Sequence, residues 1–175
     1  MANREALREL QARLAMRLQQ ARTEVRVQSW LAVECAGQGF LVPLATAGEI
    51  FPVGKLLAVP HTHAWFMGVA NLRGGLHGVV DLAAFLGLRA PIAVDAVREQ
   101  SQLLAFNANQ GAHCAVLVDK LAGLRSAPQL QAEPADAVDR PAFAGARWRD
   151  AEGRVWQEID LGALARNEQF LAIAA

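Results

Sequence analysis

The groups in this chain with ligand or catalytic potential are four histidines, two cysteines and a few carboxylates in apolar surroundings. His61-Thr62-His63 puts two imidazoles on alternate residues, a spacing that can chelate a metal when the segment is extended, and His77 and His113 are further candidates. No carboxylate or cysteine stands at a familiar ligand spacing from them, so Pro60 to His63 reads as a solvated loop ahead of a strand. Glu49 and Asp81 lie near the ends of strand-like runs, where isolated carboxylates are surface or capping groups more often than an acid/base pair. Cys35 and Cys114 each sit inside an apolar run and read as small buried thiols, not as a disulfide. The chain contains no GxSxG, Walker loop, CxxC or HExxH, and no nucleophile that can be paired with a base. The expectation is a protein without enzymatic activity, metal or cofactor.

Recognition is the chemistry that remains, and GVANLRGGLHGVVDL, Gly68 to Leu82, carries it. Two apolar, β-branched runs meet at Gly74-Gly75, a pair that accepts positive φ at both central positions of a tight hairpin turn. Asn71 and Arg73 fall on one face of the incoming strand, and Ala70 and Leu72 on the other. One face therefore reads as core and the other as a contact surface. Arg73-Gly74-Gly75 lacks the downstream helix N-terminus that a phosphate cradle uses.

The surrounding elements must hold that hairpin still. With 175 residues and 53% hydrophobic content, the chain can bury a sizeable core. Its 17 basic and 17 acidic residues cancel, and it has no Tyr, so neither a phosphate-neutralising surface nor a base-stacking platform is expected, and nucleic acid is excluded as a partner. No apolar stretch is long enough to cross a membrane, which leaves a soluble, cytoplasmic protein without direct membrane insertion as the expectation. Leu7, Leu10, Leu14, Leu18 and Ala21 recur at helical spacing, with Asn3 as N-cap and arginines on the remaining faces. Residues 1–24 thus read as an amphipathic helical extension that docks on its own domain or on a partner, and residues 25–175 as the domain proper.

From Val25 the period falls to two. VRVQSWLAVEC and FLVPLATAGEI read as a hairpin turning at Gly37 to Gly39. After the Gly68 to Leu82 hairpin, Leu82 to Leu86 is a short helix ended by Gly87, and SQLLAF and HCAVLVDKLAGL continue the strands to about Ser126. Residues 127–145 hold three prolines and no periodicity, a connection long enough to be functional or mobile. Asp150 to Gly153 is a turn between two last strands, and Ile159 to Ala165 a short closing helix. Many short strands at close spacing make the fold mainly β, a sandwich or small barrels.

WFMGVANLRGGLHGVVDLAAFLGL, Trp65 to Leu88, strongly resembles the NLRG hairpin of the chemotaxis coupling-protein (CheW) family. FLVPLATAGEI resembles that family's strand leading to a V-x-E-I/V signature, and HCAVLVDKLAGL its V-D-x-V strand pair; the three occur in matching order. The resemblance implies two intertwined five-stranded SH3-like β-barrels on a shared core, and a non-enzymatic adaptor. Its partners would be the cytoplasmic tip of a methyl-accepting receptor and the regulatory domain of a CheA-type histidine kinase, with recruitment to membrane receptor arrays. By that resemblance Asn71, Arg73 and Gly74 fall at the family's receptor- and kinase-contacting hairpin, and Ala47 and Glu49 on its kinase-facing strand. The chain departs from the family at Ala47-Gly48, where a larger apolar residue and a polar one are usual, at Gly78 in place of Pro, and at Ala83 in place of a basic residue. The N-terminal extension and the RWRDAEGRVW segment look more like the coupling proteins of type IV pilus (twitching-motility) clusters than the flagellar version, which is the alternative. A metal-binding protein using His61 and His63 is the reading from a different class.

Overall fold

The computed structural model describes residues 28–97, 99–134 and 140–175. The helical extension expected over residues 1–24 lies outside the described residues. Strands β1 (Ser29–Cys35) and β2 (Gln38–Pro43) form an antiparallel hairpin whose turn is Ala36-Gly37, both at positive φ. The turn therefore falls just ahead of the expected Gly37 to Gly39, and the second arm is not continuous to Ile50. Pro43 has no N–H to extend the ladder, and its carbonyl instead accepts from the Thr46 N–H and hydroxyl in a turn. The chain resumes as β3 (Ala47–Pro52) in a different sheet.

The remaining strands are β4 (Phe66–Leu72), β5 (Gly75–Asp81), β6 (Gln102–Phe106), β7 (Cys114–Val118), β8 (Lys120–Ser126), β9 (Gln131–Ala132), β10 (Ala144–Arg149) and β11 (Val155–Ile159). Helix α1 (Leu82–Phe85) follows β5, and α2 (Leu161–Leu164) and α3 (Glu168–Leu171) follow β11. One sheet runs β8-β1-β2-β11-β10-β9 and the other β3-β6-β7-β5-β4. The chain starts in the first sheet, builds the whole of the second, and returns to complete the first. Parallel pairings of β2 with β11 and of β5 with β7 close the two excursions. The halves are thus intertwined as expected. Among the described residues the second sheet has five strands and the first six, the extra one being the two-residue edge strand β9.

Neither sheet is closed by a continuous ladder among the described residues. The second sheet curls until its outer strands nearly meet, where Leu57, just past β3, and Val69 of β4 exchange both backbone hydrogen bonds at 2.9 Å. Gly68 makes that approach feasible: at φ +119 a Cβ there would lie 2.2 Å from the Leu57 carbonyl oxygen.

Among the described residues, three apolar cores follow from strands buried on both faces. In β1, Trp30 and Ala32 point into the interior of the first sheet with Leu41, Leu130 and Trp156, while Leu31, Val33 and Cys35 point to the other side. In β6 and β7, Leu103, Ala105, Ala115 and Leu117 fill the interior of the second sheet. Leu104, Phe106, Val116 and Val118 join Leu31 and Val33 in the shared core between the sheets. Such strands read as unbroken apolar runs, and SWLAV, LLAF and CAVLV are that kind of run. The 127–145 connection is partly structured. Gln129 bonds back to Ser126 in a capping box, β9 pairs with β10, and Phe143 is buried in the shared core.

Asp81 is the N-cap of α1, its Oδ1 accepting from the Ala84 N–H. Its other oxygen takes a 2.6 Å bond from Arg89 Nη1, and Arg89 Nη2 reaches Asp119 Oδ1 at 3.3 Å. Asp119, the residue between β7 and β8 where the chain leaves the second sheet, accepts the Ala36 N–H at 2.7 Å. One guanidinium therefore ties together the end of β5, the crossing from β7 to β8 and the first hairpin turn. Asp81 is a capping group, as its isolation in the sequence implies.

Candidate recognition surface

The β4–β5 turn is Arg73-Gly74, with φ of 51° and 82°, and Leu72 pairs with Gly75. That is one residue earlier than the Gly74-Gly75 loop expected from sequence. A two-residue turn with positive φ at both positions needs glycine most where the backbone is tightest, and an arginine tolerates the first position at a cost of about 1–2 kcal/mol. The Asn71 side chain offsets part of it, its Oδ1 accepting the Gly74 N–H at 2.8 Å. Asn71 is thus a turn residue first, although it is exposed as expected, while Ala70 and Leu72 are buried. Arg73 belongs to the turn and not to the strand, which places its side chain at the tip.

From that tip Arg73 Nε reaches Glu49 Oε2 at 2.9 Å. The curl of the second sheet brings the turn that follows one edge strand, β4, against the other edge strand, β3, which carries Glu49. Both side chains are open to water, 75% and 53% exposed, so the pair itself holds little of the fold together. Ala47 is different. It pairs with Phe106 across β3 and β6 and packs half-buried on the shared core, so it supports the surface from beneath. Gly48 follows at an irregularity in that ladder, and a Cβ there would stand 2.6 Å from the Phe106 carbonyl oxygen, so the backbone itself requires this departure from the family pattern. Between the hairpin and β3–β6 lies a hollow of about 330 Å³ floored by Phe51 and Leu72 and rimmed by Glu49, Arg73, His77 and Asn107.

A second concavity, about 450 Å³, was not legible in the sequence. Phe40, Phe85, Leu86, Phe143 and Ile159 line it, with Gln38, Arg147 and Gln157 among its polar groups. It lies where α1, from the second half of the fold, meets β2, β10 and β11 of the first sheet. Phe85 and Phe143 pack at a ring separation of 6.2 Å, yet nearly sixty positions separate them in the chain, so no local pattern reveals them.

His61 and His63 are both exposed, and the His63 ring stacks on Trp65 at 5.4 Å while its backbone N–H bonds to Ile173 near the C-terminus. Among the described residues no three His, Cys, Asp or Glu side chains gather in a cluster able to hold a metal. Both cysteines are free; Cys35 is buried and Cys114 half-buried. Burial, then the neighbouring Asp119 charge, pushes the Cys35 thiol up to about 12, and burial also raises Cys114. At neutral pH both stay protonated and poorly nucleophilic. Burial alone would raise Asp150, but bonds from the Trp156 indole N–H and the Arg154 backbone N–H outweigh it and hold the carboxyl below its ordinary value.

No helix of the described residues is long and apolar enough to cross a membrane. Residues 29–169 match the model of the CheW-like domain. The chain is 28% identical over 154 residues to Protein PilI of Pseudomonas aeruginosa, covering 85% of this chain and 82% of that one. A shorter stretch of 59 residues is 37% identical to the Probable chemotaxis protein CheW of Rhizobium etli, covering 34% of this chain and 38% of that one. The fold is similar to the crystal structure of the scaffolding protein TtCheW from Thermoanaerobacter tengcongensis, with a TM-score of 0.64 over 79% of this chain and 88% of that one at 15% identity. A family match over most of the chain, on two intertwined sheets sharing one core, makes this protein a member of the CheW-like domain family.

Proposed function

We propose that the protein is a non-enzymatic signalling adaptor that couples methyl-accepting receptors to a CheA-type histidine kinase, in the control of type IV pilus twitching motility. Membership of the CheW-like family supports the coupling role, and the likeness to Protein PilI over most of both chains favours the pilus pathway over the flagellar one. The observation that carries the reading is the Arg73–Glu49 pair, which stands exposed where the tip of the β4–β5 hairpin meets β3. Charged groups so placed give a partner orientation and specificity while contributing little to the fold.

The kinase regulatory domain would meet the face formed by Asn71, Arg73, Gly74 and Glu49, with Ala47 beneath it. The receptor tip, a helical hairpin, would lay an apolar stripe into the groove of Phe40, Phe85 and Phe143. Residues 25–175 form the coupling domain and residues 1–24 an extension to it, in a protein that works in the cytoplasm and is recruited to membrane receptor arrays. Titration of the purified chain with an isolated kinase regulatory domain and, separately, with a receptor tip tests this division. Arg73→Glu should weaken the first and spare the second, and Phe85→Glu the reverse. No binding of either partner by the unaltered chain rejects the adaptor reading.

A further inference from the structure

We infer that His77 and His113 form a two-imidazole site for a divalent transition-metal ion, beside the hairpin surface and independent of the adaptor reading. His77 is on β5, and His113 immediately precedes β7, its parallel neighbour. Gly78 pairs with Cys114 across these strands, and the Gly78 N–H bonds to the His113 carbonyl at 2.9 Å. The two histidines each precede one member of that pair, so they stand at one level and on one face of the sheet.

Their ring centres are 5.6 Å apart, with planes at 76°. Two imidazoles that share a tetrahedral ion at the usual metal–nitrogen distance of about 2.1 Å have ring centres about 5 Å apart. A small rotation of the exposed His113 ring closes the difference. A second observation concerns proton placement. His77 Nδ1 lies 3.0 Å from the Gly75 carbonyl oxygen, and a carbonyl only accepts, so Nδ1 carries the hydrogen. Nε2 is then left with its lone pair, the arrangement of metal-binding histidines, whose other nitrogen donates to a carbonyl or carboxylate. Cys114 is excluded as a third ligand, because it packs on the shared core. Two protein nitrogens leave the remaining positions to water or to a side chain from a bound partner.

The tag-free full chain, titrated calorimetrically with Ni²⁺ and with Cu²⁺ in a non-chelating buffer, tests the site. The expected result is one equivalent bound, more tightly for Cu²⁺ than for Ni²⁺, with two nitrogen ligands in the Cu²⁺ electron paramagnetic resonance spectrum. His113→Asn, an exposed change that leaves the His77–Gly75 bond in place, should weaken binding more than tenfold, since even outer-shell losses cost about 10–100-fold. His77→Asn should do the same, and the His61→Asn/His63→Asn pair should leave affinity unchanged. Absence of binding, or binding that survives His113→Asn and is lost in the His61/His63 pair, would overturn the assignment.

Discussion

Two clusters in this molecule use the same guanidinium–carboxylate chemistry to opposite ends. Arg89, 21% exposed, is clamped between Asp81 and Asp119, whose side chains are 1% and 22% exposed. Arg73 meets Glu49 with both side chains open to water. The first cluster joins three chain segments that the topology sends in different directions, and it lies where breaking one contact strands a charge away from solvent. The second joins two segments that Leu57, Val69 and Gly68 already bring together through the backbone. Burial and connectivity, more than the identity of the ion pair, decide which arginine holds the fold and which is available to another protein.

The largest effect is expected where that contrast is broken from the buried side. Arg89→Met leaves Asp81 buried without its partner and should destabilise the protein by about 3–5 kcal/mol, read from urea unfolding. The Arg89→Met/Asp81→Asn double variant should recover part of that loss, because the uncompensated charge is gone. Next comes a change of pH. Cys35 has a raised value in the fold, so below about pH 9 it is a neutral thiol in both states and stability does not depend on it. As pH rises from there toward about 12 the unfolded chain ionises first, and stability should fall by about 1.4 kcal/mol per pH unit. Cys35→Ala should flatten that alkaline limb. On the exposed side, Arg73→Ala should change the unfolding free energy by about 0.5 kcal/mol or less. The smallest effect belongs to Asp150, which is held below its ordinary value. Its contribution is present above the unfolded carboxylate pKa and lost as pH falls through the lower folded value, so Asp150→Asn should slightly flatten the acid limb.

Local patterns in the sequence carried the hairpin, the short helix after it and the last β-turn, because each depends on neighbours within a few residues. Gly74-Gly75 pointed to the right turn but one residue late: glycine propensity alone does not reveal that Asn71 caps Gly74 and lets Arg73 take positive φ. Pro43 marked a break that the apolar run FLVPLATAGEI concealed, and the two-faced burial of β1, β6 and β7 needed the second sheet to be seen. Alternation along the hairpin brings out Arg73 and the family resemblance adds Glu49, whereas their meeting is a product of sheet curl. The groove around Phe85 and Phe143 and the His77–His113 pair depend on long-range register, which no local spacing encodes.

The central claim is that Arg73 serves a partner and not the fold, and a charge swap tests it most directly. Arg73→Glu/Glu49→Arg restores the ion pair inside the chain while inverting the charges shown to a partner. Measured against an isolated CheA-type kinase regulatory domain, the swapped protein should unfold like the unaltered one yet bind at least tenfold more weakly, a loss of about 1.4 kcal/mol or more. Full recovery of binding in the swap, after its loss in Arg73→Glu alone, would show that the pair acts within the chain and would contradict the account.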